Sequence, residues 1–225
     1  MSRSRRVLVL FASSWVAACA EGTGPPPSGA SPQHARWGVE PSAFEYSVSY
    51  RPARQTDSGL PFARVAGPTP EAREVSFWAY QDRDAWVLVR YQSPDGTWRP
   101  YVELVVPSGA LFKHPDGSLM APGDSVFVTM TIDSTQLSVE LEPTGLAFSA
   151  LTPARLTLWY TGASPDFDGN GLVDSLDAYI EQTLLGLWLR VTPEDPWEAI
   201  LATHSLHDQL FTATLQHFSG YAVAW

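Results

Sequence analysis

From Asp166 to Asp177 the chain reads DFDGNGLVDSLD, which sets oxygen-bearing side chains at alternate places around two glycines. A hard cation such as Ca²⁺ takes six to eight oxygens about one point. A twelve-residue loop can supply them from places 1, 3, 5, 7, 9 and 12, with glycine at 6 for the sharp turn. Here those places hold Asp166, Asp168, Asn170, the carbonyl of Leu172, Asp174 (acting through a water) and Asp177, with Gly171 at the turn. Val173 takes the eighth place, where an apolar side chain is expected to pack the loop against the domain. The chemistry is electrostatic: four carboxylates confined in one loop repel each other, and a divalent cation converts that repulsion into coordination. Aspartate at the last place is one methylene shorter than glutamate, which favours weak binding, comparable to extracellular modules with dissociation constants of about 10⁻⁴–10⁻³ M. Magnesium fits less well, because it demands a small octahedral shell and keeps its waters.

Other reactive side chains lack such spacing. His204 and His207 lie in ATHSLHDQ beside Asp208, but with no helical pattern and no HExxH-like base they do not make a zinc site. His217 is expected to make a structural hydrogen bond. No GxSxG elbow is present for a serine nucleophile. Glu103, Glu140 and Glu142 could in principle supply a glycosidase pair, but Glu140 and Glu142 alternate with Val139 and Leu141 and are read as the solvent face of a strand. No catalytic residue is therefore assigned, and the chain is not expected to be an enzyme. Of nine tryptophans, Trp98 and Trp197, flanked by turn residues, are expected to be exposed. The others are expected to be core or half-buried cover.

Stepping outward, the loop sits between a strand, TLWYTGASP, and a segment in which Leu176, Tyr179, Ile180, Leu184 and Leu187 recur at helical spacing. That spacing predicts a helix of about three turns from Asp174 or Ser175. Elsewhere short runs alternate with period two between Gly/Pro turns: Val75–Tyr80, Val87–Gln92, Tyr101–Val106, Val126–Asp133, Leu137–Glu142, Arg155–Tyr160, Phe211–Gln216 and the closing YAVAW. FEYSVSY, 44–50, is a further strand. One apolar face per strand means packed antiparallel sheets. The fold class is all-β, an antiparallel β-sandwich with a short calcium-loop-plus-helix insertion at 164–208.

The ends and the charge bound the setting. Residues 1–18 are arginines followed by an apolar run and small residues, the layout of a signal peptide. Val16-Ala17-Ala18-Cys19 resembles the bacterial lipobox, which implies lipidation of Cys19, a membrane anchor and a place in the bacterial cell envelope, at the outer membrane. Cys19 is the single cysteine, so no internal disulfide can form. Residues 19–43, rich in Pro, Gly and Ser, are read as a flexible tether, and 44–225 as the domain, with its core from about 71. Of 14 basic residues, three fall within the signal; the remaining 11 face 24 acidic ones. That excess of negative charge argues against nucleic acid as a partner.

VPSGALFKHPDGS, LEPTGLAFSALTPARLTLWY and FTATLQHFSGYAVAW resemble the ZU-five sandwich module of netrin receptors, ankyrins and bacterial envelope lipoproteins, over about Val105–Trp225. The resemblance implies a binding or scaffolding domain without an active site. The acidic loop with its exit helix resembles a dockerin calcium repeat, an EF-hand without the entering helix. Dockerins carry two repeats and this chain has one, which argues against cohesin docking. The combined expectation is a calcium-binding, lipid-anchored, non-catalytic binding or structural module with a protein or polysaccharide partner. A carbohydrate-binding module is the alternative, and a hydrolase is less favoured.

Overall fold

The computed structural model describes residues 31–38, 41–52, 63–66, 73–133 and 135–225. The expected signal peptide and Cys19 lie outside the described residues. Within them the period-two runs become strands with alternating burial. In Arg83–Gln92, Ala85, Val87, Val89 and Tyr91 are buried while Trp86, Leu88 and Arg90 face outward. In Ser125–Asp133, Val126, Val128, Met130 and Ile132 are inside.

These strands assemble into two antiparallel sheets. The seven-stranded sheet has the order β13 (Thr203–Ser205), β14 (Leu210–Leu215), β10 (Ala154–Trp159), β5 (Trp98–Val106), β4 (Arg83–Gln92), β1 (Ala43–Pro52) and β2 (Ala63–Ala66). The six-stranded sheet runs β12 (Glu198–Ile200), β11 (Gly186–Arg190), β15 (Gly220–Ala224), β8 (Ser138–Glu142), β7 (Ser125–Asp133) and β3 (Glu74–Tyr80). A small ribbon pairs β6 (Leu111–Lys113) with β9 (Ala147–Phe148), inside what the sequence reads as plain connection. The inner faces form one apolar core. Tyr101, fully buried, donates across the gap from β5 to the carbonyl of Ser138 in β8 at 3.0 Å, so its polar end is satisfied where burial would otherwise be costly. Among the described residues no helix is long and apolar enough to cross a membrane.

Three expectations change. The tether does not extend through residue 43: the carbonyls of Trp225 and Val223 accept from Gln33 and Ala35 N–H, both at 2.9 Å, Ala35 is fully buried, and the Trp37 ring stacks on Tyr101 at 5.5 Å. Apolar side chains at 35 and 37 dock this stretch despite its neighbouring prolines, and with Phe44 and Val48 they extend the core well before residue 71. The excursion is also shorter than 164–208, because 186–190 pairs with β15 and 203–205 with β14. The helix is shorter too. It comprises α1 (Ser175–Tyr179) and a π-helical turn, Ile180–Leu184, and Leu187 belongs to β11. In the π turn Leu185 N–H bonds the Ile180 carbonyl at 2.8 Å, one residue further than an α-helix allows. That extra residue rotates the buried position from 184 to 185: Leu185 is buried, whereas Leu176, Tyr179 and Leu184 are exposed.

Candidate metal centre

The loop is shaped by its own backbone. Gly169 and Gly171 take φ of +71° and +85°, left-handed bends in which a side chain would be strained. Around them the aspartate and asparagine oxygens accept from N–H groups a few residues ahead, which fixes each side chain toward its own loop. Asp166 accepts from Asn170 at 3.0 Å and Gly171 at 2.8 Å. Asp168 accepts from the Asn170 N–H at 3.0 Å and from its Nδ2 at 2.8 Å. Asn170 Oδ1 accepts from Leu172 N–H at 2.8 Å.

Asp177 closes the loop from the helix side. It is the N3 residue of α1, and its Oδ2 accepts from Asp174 N–H at 2.9 Å while Asp174 Oδ1 accepts from Leu176 N–H at 2.7 Å. This reciprocal pair is a capping box, with Asp in both roles. The Asp177 Oδ1 accepts from Phe167 N–H at 2.6 Å and Asp168 N–H at 3.3 Å. The side chain is only 2% exposed, yet it stays ionised: the Asp174 N–H foremost, with those of Asp168 and Phe167, holds its pKa below the usual carboxylate range against the opposing effect of burial.

Three predicted ligands therefore converge. Asp166, Asp168 and Asp177 each offer an oxygen, and these lie within 4.8 Å of one another. Among the described residues none of the three is ion-paired to Lys, Arg or His, and each accepts from backbone N–H groups. This acidic triad can hold a metal ion. Asn170 is bonded to it through Asp168. Asp174 stands outside the converging group as the helix cap, and the Leu172 side chain is exposed. Val173 does not pack the loop down: it is 67% exposed. That task falls to Phe167, at the second place, whose ring meets Trp225 edge-on at 5.7 Å. The sequence signal for it is an aromatic between two ligand aspartates, the only ring in the loop.

Behind the helix lies a cavity of about 150 Å³ lined in part by Tyr160, Phe167, Asp177, Glu181 and Gln209. Tyr160 hydrogen-bonds His204 Nε2 at 2.7 Å, and the imidazole stacks on Phe211 at 4.1 Å. Burial lowers the His204 pKa, with Glu181 opposing; burial, then Glu181, raises that of the Tyr160 phenol. His204 and His207 converge on no carboxylate cluster among the described residues, and His217 bonds Ser219 Oγ at 2.7 Å. The three strand glutamates are each engaged: Glu103 by Trp86 Nε1 at 2.8 Å, Glu140 by Arg190 at 2.6 Å, Glu142 by Thr144 N–H at 2.6 Å. Trp98 is exposed, but Trp197 is covered, by the Arg190 guanidinium at 4.6 Å and His34 at 5.0 Å. Trp78 and Trp86, which the alternation suggests as cover, are more exposed than Trp98 because they lie on outer sheet faces. Compared with known proteins, the chain matches no family model, and no curated protein and no solved structure shows significant similarity to it.

Proposed function

We propose that the protein is a calcium-binding, lipid-anchored, non-catalytic binding or structural module of the bacterial envelope. The observation that carries the reading is the convergence of Asp166, Asp168 and Asp177 in a loop whose spacing suits an oxygen-ligated cation. One ion with oxygens at about 2.3–2.6 Å spans carboxylates up to about 5 Å apart, and the remaining positions of a flexible six-to-eight shell fall to Asn170, the Leu172 carbonyl and water. The residues thus fit Ca²⁺, which would bind at the loop and neutralise it. The resemblance to non-catalytic sandwich modules supports a role without catalysis, and the signal and lipobox pattern at Cys19 supports the anchor.

Calorimetry tests the ion. If Ca²⁺ binds only the folded state, a hundredfold excess over its dissociation constant adds about 2.7 kcal/mol, a rise in Tm of about 5–10 °C for a domain of this size. An unchanged Tm in chelator, with no binding heat at millimolar calcium, rules the reading out. Polysaccharide capture is a second reading, favoured by Trp78 and Phe127, exposed cross-strand neighbours at 5.3 Å on one sheet face. Retention on immobilised glycans that is lost in Trp78→Ala supports it; equal retention of both proteins removes it.

A further inference from the structure

Four side chains behind the acidic loop meet in a way that ion holding does not require. Asp177 and Glu181 stand at i and i+4 on the exit helix, so they share one face. Asp177 serves the loop. Glu181, in the π turn, turns to the seven-stranded sheet: its Oε1 accepts from Gln209 Nε2 at 3.2 Å, and it lines one cavity with Tyr160, itself 1% exposed and bonded through its phenol to His204 Nε2 at 2.7 Å. These contacts tie the β13–β14 edge to the exit helix through Gln209 and to β10 through Tyr160.

Its far end is a weakly supported part of the fold. β13 is a three-residue edge strand paired, among the described residues, with β14 alone. The turn between them contains Gln209 at φ +50°, a conformation that a non-glycine residue keeps only where its surroundings impose it. Those surroundings are the Tyr160 N–H, which donates to the Gln209 carbonyl at 2.8 Å, and Glu181, which accepts from its side chain.

We propose that Glu181, with Tyr160, His204 and Gln209, forms a latch through which cation occupancy of the acidic loop orders the β13–β14 edge. The inference rests on the calcium reading above. A bound ion fixes Asp177, the exit helix is held in its docked state, and Glu181 one turn later keeps the edge turn in its strained conformation. Linkage makes the effect reciprocal: a partner that binds the ordered edge tightens calcium binding by the same factor, within the range of about 5–150-fold usual for coupled sites.

Hydrogen–deuterium exchange of the whole chain, in millimolar Ca²⁺ and in chelator, tests this in wild type, Glu181→Ala and Glu181→Gln. In wild type, calcium should slow exchange at least about fivefold both in 166–177 and in 203–210. Glu181→Ala should keep the first effect and lose the second, and Glu181→Gln, which retains an acceptor oxygen, should restore part of it. Protection of the loop with no change at 203–210 overturns the latch while leaving the calcium reading intact. So does edge protection that survives Glu181→Ala. No protection in either segment removes both.

Discussion

Asp177 serves two structures at once, and its two roles can be separated by mutation. It closes the acidic triad and it terminates three backbone N–H groups, those of Phe167, Asp168 and Asp174. Asp168→Asn removes one charge but keeps an oxygen for Asn170, so it should abolish calcium binding and leave the Tm in chelator almost unchanged. Asp177→Ala leaves buried donors without acceptors, so it should abolish binding and also lower the Tm in chelator. Equal chelator Tm values for the two variants would show that Asp177 has no structural role. At the same scale His204 makes stability depend on pH. Its folded pKa lies below the ordinary 6.5 because of burial, so the unfolded chain takes up the proton first as the pH falls. The stabilisation is complete above about pH 6.5 and is lost as the pH drops through the folded value. His34 shifts in the same direction, through burial and then Arg190. Thermal unfolding from pH 7.5 to 5 should show a falling Tm, and His204→Gln should flatten part of that fall, leaving the share of His34. An identical slope in the variant counts against this account.

At the level of elements, the exit helix shows how one hydrogen-bond pattern reassigns a buried face. An α-helix through Leu187 would bury 176, 180, 184 and 187, but the π turn advances the register so that 185 is the residue inside. Leu185→Ala should therefore cost about 2–4 kcal/mol, within the usual range for a buried leucine, whereas Leu184→Ala should stay within about 0.5 kcal/mol. Chemical denaturation of the pair decides between the two registers, since a continuous α-helix reverses the order. Apolar periodicity could not foresee this, because 184 and 185 are both leucine and only the burial of Leu185 in the sandwich core selects one of them.

For the molecule as a whole, the sandwich is completed by a segment that composition marks as tether. Residues 31–38 lie along the end of β15 and place Ala35 and Trp37 in the core. Compared with a chain beginning at Ser31, one beginning at Ser42 should lose several kcal/mol, about 3 of them traceable to Trp37→Ala alone. Equal melting of the two would mean that the segment contributes nothing to the core. The same contact brings Trp225 between the Gln33 backbone and the Phe167 ring, so residues 31–38 and the stretch after β15 meet beside the acidic loop.

Much of this was legible in local pattern. Period-two alternation identifies the strands and their inner faces, since neighbouring side chains on a strand must point oppositely. The spacing of DFDGNGLVDSLD identifies the loop, since ligand geometry is set within twelve residues and the glycines sit where the backbone bends left-handed. The tertiary structure alone decided which three carboxylates converge, that Phe167 rather than Val173 anchors them, that 186–190 and 203–205 join the sheets, and that Trp78 faces solvent while Trp197 is covered. Most of these depend on a partner distant in the chain, such as Trp225 for Phe167, Ala222 for Trp188 or His34 for Trp197. Local sequence constrains what a residue can do, and the long-range strand order determines what it meets.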